Sequence, residues 1–304
     1  MDRRTVLVWM AGLGILSPVA QAVPRTPFSR EVSDILDLTE AQIDTGRVAL
    51  AFGKEIYPHI DVDAYSRRID VMVGDARAVL KRYSRQGDPE SIIRALNTYY
   101  YKFYGIRYDN SPGARSKRQN FFLHNTLDTR QGNCLSIPML YMAVAQRLGY
   151  PVYAVTAPDH SFVRFVDPRL KEQNIELSAS AGYSPDEDYA FNLNISQKAI
   201  RNGAYLRTLS KRHYLGVLLL QNALAFDEQG DLDRAIRYLE KAEEIDPKNV
   251  YFPRNLAAMW IHKAKQQKVP EAVEKFRKIA YEYLAKAQDM GWTRDPDANT
   301  REKS

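Results

Sequence analysis

A single cysteine in a polar stretch constrains this chain more than any other feature. Cys134 is the only cysteine among 304 residues, and it directly follows Arg130-Gln131-Gly132-Asn133. Beyond it, Leu140, Tyr141, Val144, Ala145 and Leu148 fall on one helical stripe, which predicts a helix over residues 138–148. Pro138 suits only the first turn of such a helix. Gly132 and Asn133 are turn and cap residues, so Cys134 is expected at the helix start. Outward-pointing N–H groups and the positive end of the helix dipole favour a thiolate there. Residues 151–156 and 160–165 then read as a strand pair with His160 at its edge.

Arg130-Gln131-Gly132-Asn133-Cys134-Leu135-Ser136, the helix after it, and Ala157-Pro158-Asp159-His160-Ser161-Phe162-Val163-Arg164 resemble the bacterial transglutaminase-like superfamily. The nearest branch is the one whose members carry tetratricopeptide repeats after the core. The resemblance covers roughly residues 30–245. Its specificity lies in the Gly-Asn-Cys plus His combination, not in the upstream helices. It implies an α+β fold, with a papain-like transglutaminase core, N-terminal helices and a small antiparallel sheet, followed by an all-α tetratricopeptide-repeat module. It also implies a triad of the Cys–His–Asp class. Members of the nearest branch can lack the cysteine; this chain retains it.

The N-terminus bears on how that cysteine is read. Asp2, Arg3 and Arg4 precede an apolar run over residues 6–16, Ser17-Pro18 breaks it, and Ala20-Gln21-Ala22 offers a small-x-small cleavage site. The run is too short to span a bilayer. Residues 1–22 therefore read as a signal peptide, with an uncleaved anchor as the alternative, and the mature chain is expected to be periplasmic or secreted. No transmembrane segment is expected in that mature chain. In an oxidising compartment cysteines usually pair, and one cysteine has no partner within the chain. A buried, inert thiol is the ordinary alternative. The polar neighbours Gln131, Gly132, Asn133 and Ser136 favour a reactive site instead. The formal net charge of +6 becomes +5 without Asp2, Arg3 and Arg4. That mild excess is compatible with an anionic surface but does not argue for one.

The chain ahead of the cysteine reads as helical scaffold. Thr39 and Gln42 make a capping box. Residues 48–56, 63–83 and 89–104 read as helices, the last with Asp88 as cap and Pro89 in its first position. Tyr99, Tyr100, Tyr101, Phe103, Tyr104 and Tyr108 interleave with Lys102 and Arg107, a pattern that can serve as a nucleic-acid platform. Their helical spacing and the export signal favour a core-packed face with some tyrosines lining a cleft, and no nucleic-acid partner is expected. Residues 111–118 form a polar basic loop, and the solitary His124 receives no role.

Residues 174–178 offer a third strand and residues 198–203 a short helix. From Gly216 onward, Gly230, Ala235, Ala242 and Pro247 stand at the small-residue and helix-ending positions of a tetratricopeptide repeat, a unit of about 34 residues. Leu256, Ala257, Trp260, Ala272 and Phe276 suggest a second, looser repeat. The expected organisation is a signal peptide at 1–22, a transglutaminase-like domain at 23–212, repeats at 213–292 and a disordered tail at 293–304.

In the implied chemistry a Cys134 thiolate attacks an amide carbonyl to form a thioester, and His160 protonates the leaving amine. Water then completes hydrolysis, or an amine completes transamidation. A third residue must hold the imidazole, and Asp167 and Glu176 compete for that role. Along one continuous strand His160 and Asp167 would be far apart, at roughly 3.3 Å per residue, and on opposite faces. A tight turn at Asp167-Pro168-Arg169 would pair Val166 with Leu170 and bring Glu176 opposite His160, on the same face. The family usually has Asp at that place, with Glu or Asn as variants, so Glu176 departs slightly from the pattern.

The oxyanion site would use the Cys134 N–H, with Gln131 and Asn133 as further candidates. No cofactor is expected, and one cysteine with scattered histidines lacks zinc-ligand spacing. The expected partners are a peptide or protein amide, with peptidoglycan peptides as one option, and a protein held by the repeats. The alternative is a catalytically silent envelope scaffold that binds its partner through the repeats.

Overall fold

The computed structural model describes residues 28–178 and 182–293. The expected signal peptide and all of the expected tail except Thr293 lie outside them. Four helices lead the chain: α1 (Arg30–Leu36), α2 (Thr45–Ile56), α3 (Val62–Tyr83) and α4 (Pro89–Thr98). Ser29, Asp44 and Asp61 each cap the helix that follows, accepting a backbone N–H on the side-chain oxygen. A short strand β1 (Arg107–Tyr108) runs parallel to β2 (Gln131–Gly132), with α5 (Leu123–Thr129) between them. Then come α6 (Ser136–Arg147), β3 (Val152–Ala157), β4 (His160–Phe165) and β5 (Asn174–Ile175). Two short helices follow, α7 (Asp186–Asn192) and α8 (Gln197–Asn202). The chain closes with α9 (Lys211–Glu228), α10 (Leu232–Ile245), α11 (Tyr251–Lys265) and α12 (Pro270–Asp289). The molecule is mostly helical with one small antiparallel sheet, in strand order β3-β4-β5.

Helix α6 is buried from Ser136 to Ala145, so it lies at the centre rather than on a face. Close approach explains how α2 lies against it. A Cβ added at Gly46 would stand 2.8 Å from the Ala143 Cβ, so glycine there lets the two backbones meet. On its other side α2 meets α9, where the Asn222 amide donates to the Phe52 carbonyl at 2.8 Å in a fully buried contact. Glu40 accepts from the backbone N–H groups of Lys211 and Arg212 at 2.8 and 2.9 Å, placing an acid at the positive end of α9. One apolar core therefore runs from Val32 through α6 to Met259, across the start of α9. Along the last four helices, Gly216 lets α9 approach Phe252 of α11, where an added Cβ would meet the ring at 2.8 Å.

Two expectations need correction. The helix expected over 89–104 ends at Thr98, and Tyr99–Tyr104 form a π-helical turn closed by Gly105 at φ +80°. The wider turn splits the aromatic run. Tyr100 is buried and donates to the Leu140 carbonyl at 2.8 Å, while Tyr101 reaches the Leu177 carbonyl at 2.9 Å. The tight turn expected at Asp167-Pro168-Arg169 is also longer than the sequence suggested. Phe165 N–H donates to Gln173 O at 2.8 Å, and Arg164 pairs with Asn174. The loop thus holds residues 166–172, because the Asp167 carboxylate and carbonyl take the Arg169 and Leu170 N–H groups and delay re-pairing.

Candidate active site

Cys134 stands between β2 and α6 because the segment before it is pinned on both sides. The Arg107 N–H donates to the Arg130 carbonyl at 2.9 Å, and the Asp109 N–H to the Gly132 carbonyl at 2.8 Å. The Asn133 side-chain oxygen accepts from the N–H groups of Leu135 and Ser136 at 2.9 and 3.1 Å. In return, Ser136 Oγ accepts from the Asn133 N–H at 3.2 Å. This is a reciprocal side-chain lock across the turn that enters α6, with Cys134 inside that turn, two residues before the helix. Asn133, weighed above as an oxyanion donor, has its side-chain oxygen committed to this cap.

Buried polar groups support the cap from below. Ser136 Oγ donates to the Asn120 carbonyl at 2.6 Å, and the Asn120 amide donates to Asp109 at 2.7 Å. Hydrogen bonds from Ser111 and Asn120 hold the Asp109 carboxyl well below the usual carboxylate range. Gly132 is the tightest point: a Cβ there would lie 2.4 Å from Ser136 Oγ and 2.8 Å from Thr126 Oγ1.

His160 opens β4 directly after Asp159, whose φ of +50° turns the hairpin. Tyr251 of α11 clamps that turn. Its hydroxyl donates to the Ala157 carbonyl at 2.6 Å and accepts from the Asp159 N–H at 2.5 Å. Cys134 lies close enough to the His160 side chain to raise its basicity. His160 Nε2 stands 2.7 Å from Glu176 Oε2. Both His160 and Glu176 are largely buried, at 19% and 18% side-chain exposure, so solvent screens their interaction little.

The corrected register makes Glu176 a diagonal neighbour of His160 rather than its direct opposite. A two-residue shift keeps both side chains on one face, where a one-residue shift would separate them. Glu176 accepts two further bonds, from the Tyr189 hydroxyl and the Ser178 N–H, each at 2.8 Å. Tyr189 in turn stacks on Phe162 with ring centres 4.0 Å apart.

The electrostatics follow from these contacts. Burial alone would lower the His160 imidazole, but the hydrogen bonds to Cys134 and Glu176 and the Glu176 charge raise it to about 9. Burial would raise the Glu176 carboxyl, but His160 and the Ser178 donors bring it down to about 2. The arrangement therefore favours an imidazolium bound to the Glu176 carboxylate. A thiol beside a ring that can take and return a proton is the geometry of nucleophilic acyl transfer.

Other residues weighed above lie elsewhere. Asp167 binds Arg169 at 2.5 Å in the loop, and Arg169 brings its carboxyl down to about 2. His124 is buried beside Tyr57 and Phe122, and its Nδ1 has no hydrogen-bond partner among the described residues. Burial, with His59 nearby, drives it down to about 4 against the pull of Asp128. Among the described residues no three His, Cys, Asp or Glu side chains converge as a metal site. Sequence reasoning missed Tyr189, Ser178 and Tyr251. Tyr189 and Tyr251 come from distant helices and carry no local signal. Ser178, two residues past Glu176, follows only from the way the strand ends.

Comparison with known proteins falls on the same region. A family model described as the transglutaminase-like superfamily matches residues 63–214, which include Cys134, His160 and Glu176. Two curated relatives, the UPF0162 proteins of Xylella fastidiosa strains Temecula1 and 9a5c, are each 27% identical over 116 residues. Those residues are 38% of this chain and 40% of each relative, so the match spans well under half of the curated relatives' length.

Proposed function

The chain belongs to the transglutaminase-like superfamily, since that family's model covers half of it, and on this premise we propose a cysteine-dependent enzyme acting on an amide bond. Cys134 is the nucleophile, His160 the proton carrier, and Glu176 the residue that orients the imidazole and stabilises its charged form. The 2.7 Å bond between His160 Nε2 and Glu176, made by a ring that Cys134 also influences, is the observation that carries this reading. The cysteine sulfur bonds the amide carbon, and His160 gives its proton to the departing amine. Water releases the acid, or a second amine forms a new amide. The N–H of Cys134 at the helix start is suited to receive the developing oxyanion.

Export through the 1–22 segment and a periplasmic or secreted location are part of the proposal. Peptide amides of the cell envelope are then the natural substrate class. The last four helices are read as two tetratricopeptide repeats. Close helix approach at Gly216 and the left-handed turn at Gly230 (φ +82°) support that reading, and a protein partner is proposed for them.

Incubation of the mature chain with a peptide ester or amide, followed by intact-mass measurement, tests the enzyme reading. A covalent acyl adduct on wild type that is absent from Cys134→Ser is expected. If no adduct forms and the thiol alkylates like a free cysteine, the silent-scaffold alternative replaces the enzyme. N-terminal sequencing of exported protein should begin at Val23; retention of Met1 would move the protein to a membrane-anchored reading.

A further inference from the structure

Arg130 stands where the end of a helix ordinarily prefers glycine. It closes α5 with φ +57° and ψ +22°, a left-handed conformation that disfavours any side chain. The side chain kept there is an exposed guanidinium 5.2 Å from the centre of the Tyr104 ring. It makes no ion pair among the described residues. Arg130 lines a groove of about 660 Å³ between α3, the π-helical turn and α5, a size in the range of ligand sites.

The groove has a definite charge pattern. Arg68 and Asp128 satisfy each other at 2.6 Å. Asp75 also lines the groove, is exposed and makes no ion pair among the described residues. Two unpaired charges of opposite sign therefore remain, Arg130 and Asp75. Val71 and Phe103 supply apolar lining to the same groove and are 65% and 56% exposed. Tyr99 lies beneath, 3% exposed, with its hydroxyl lacking any hydrogen-bond partner among the described residues. Both charges line the same groove and lie within electrostatic reach of that hydroxyl.

We infer that this groove binds the end of a peptide whose last residue carries a free carboxylate and, on an aliphatic stem, an ammonium group. The carboxylate sits against Arg130, the stem lies over Val71 and Phe103, and the ammonium faces Asp75. The inference rests on the amide-directed reading of Cys134 and adds a substrate class to it. Arg130 precedes Cys134 by four residues, so at most about 14 Å of chain separates them, a span that an extended peptide of about four residues covers. A side-chain carboxylate could offer the same chemistry to Arg130, and the test separates the two sources.

Calorimetric titration of Ala-Ala-Lys into the unreactive Cys134→Ala chain reads binding without turnover. Saturable binding is expected, weakened roughly tenfold or more when the peptide's carboxylate is amidated or its lysine is replaced by norleucine. Ala-Ala-Glu with an amidated end, which keeps only a side-chain carboxylate, should bind no better than the amidated lysine peptide. Arg130→Gly should erase the preference for a free carboxylate while leaving the melting temperature unchanged or higher, because glycine adopts that backbone readily. Asp75→Asn should erase the preference for lysine over norleucine.

Absence of binding, equal binding of the glutamate peptide, or survival of either preference in its variant overturns the inference. Peptide binding to the groove, with no acyl adduct on the wild-type thiol, would leave the groove and remove the enzyme reading. An adduct formed without any end-group preference would do the reverse.

Discussion

Replacing Glu176 by Gln is the sharpest test of the proposed triad. The carboxylate accepts three hydrogen bonds, from His160, Tyr189 and Ser178, at 2.7, 2.8 and 2.8 Å. An amide keeps the shape but loses the charge, and it cannot satisfy all three donors, because one of its two positions becomes an NH2 group. The imidazole stands at about 9 rather than 6.5. That difference of 2.5 corresponds to roughly 3.4 kcal/mol favouring the charged ring, at about 1.36 kcal/mol per unit. Cys134 and Glu176 share this effect. Both act against the opposing pull of burial, so loss of the carboxylate charge should cost about tenfold or more in the population of the imidazolium. The second-order rate of iodoacetamide alkylation at pH 6 should therefore fall roughly tenfold in Glu176→Gln, with the circular dichroism spectrum unchanged. The gap should narrow as the pH approaches 9, where an ordinary thiol with a pKa of roughly 8.5 ionises unaided. Asp167→Asn should alkylate like the parent, since Asp167 binds only in its own loop. An unchanged rate in folded Glu176→Gln, or a slow Asp167→Asn, would refute the assignment.

Further outcomes follow from the same contacts. His124 is buried and stands at about 4 when folded, against 6.5 when unfolded. The unfolded chain thus binds the extra proton between those values, and stability falls as the pH drops through that window. Urea unfolding should show a loss of about 2 kcal/mol between pH 7 and pH 5 that is absent from His124→Leu; equal slopes in both chains would refute it. His160 runs the other way, its folded value being raised, so its contribution is fully present below pH 6.5 and is lost as the pH rises to about 9. His160→Gln should flatten stability over that alkaline range in the same measurement. Gly132→Ala would drive a Cβ to 2.4 Å from Ser136 Oγ. It should cost about 1–3 kcal/mol and disturb the cap behind Cys134, read as a lower thermal midpoint together with slower alkylation; a parent-like midpoint would show that the cap can shift without penalty.

Local chemistry made part of this protein legible from the sequence alone. A cap of Asn133 against Ser136, a glycine before it and a helical stripe after it are short-range features, and they put Cys134 at a helix start whatever surrounds it. The strand pair carrying His160 is likewise local, because Val152–Ala157 and His160–Phe165 have only a two-residue turn between them. Even the side of the sheet on which Glu176 lies survived the wrong turn, since strand side chains alternate with period two and the loop lengthened the register by an even step.

Tertiary packing decided what local rules leave free. The Asp167 loop set the actual register through hydrogen bonds to Arg169 and Leu170 that no strand pattern encodes. The aromatic run satisfies a helical stripe equally well as an α or a π turn, and the need to bury Tyr100 under α6 while Tyr101 reaches Leu177 selects the wider one. Tyr189 reaches Glu176 from α7, and Tyr251 reaches the His160 hairpin from α11, across sequence separations of 13 and 92–94 residues. The apolar residues of 48–56 and 215–226 must be buried somewhere, but an apolar segment carries no address. Only the folded chain shows that they cover each other and so join the segments on both sides of residue 212 into one core.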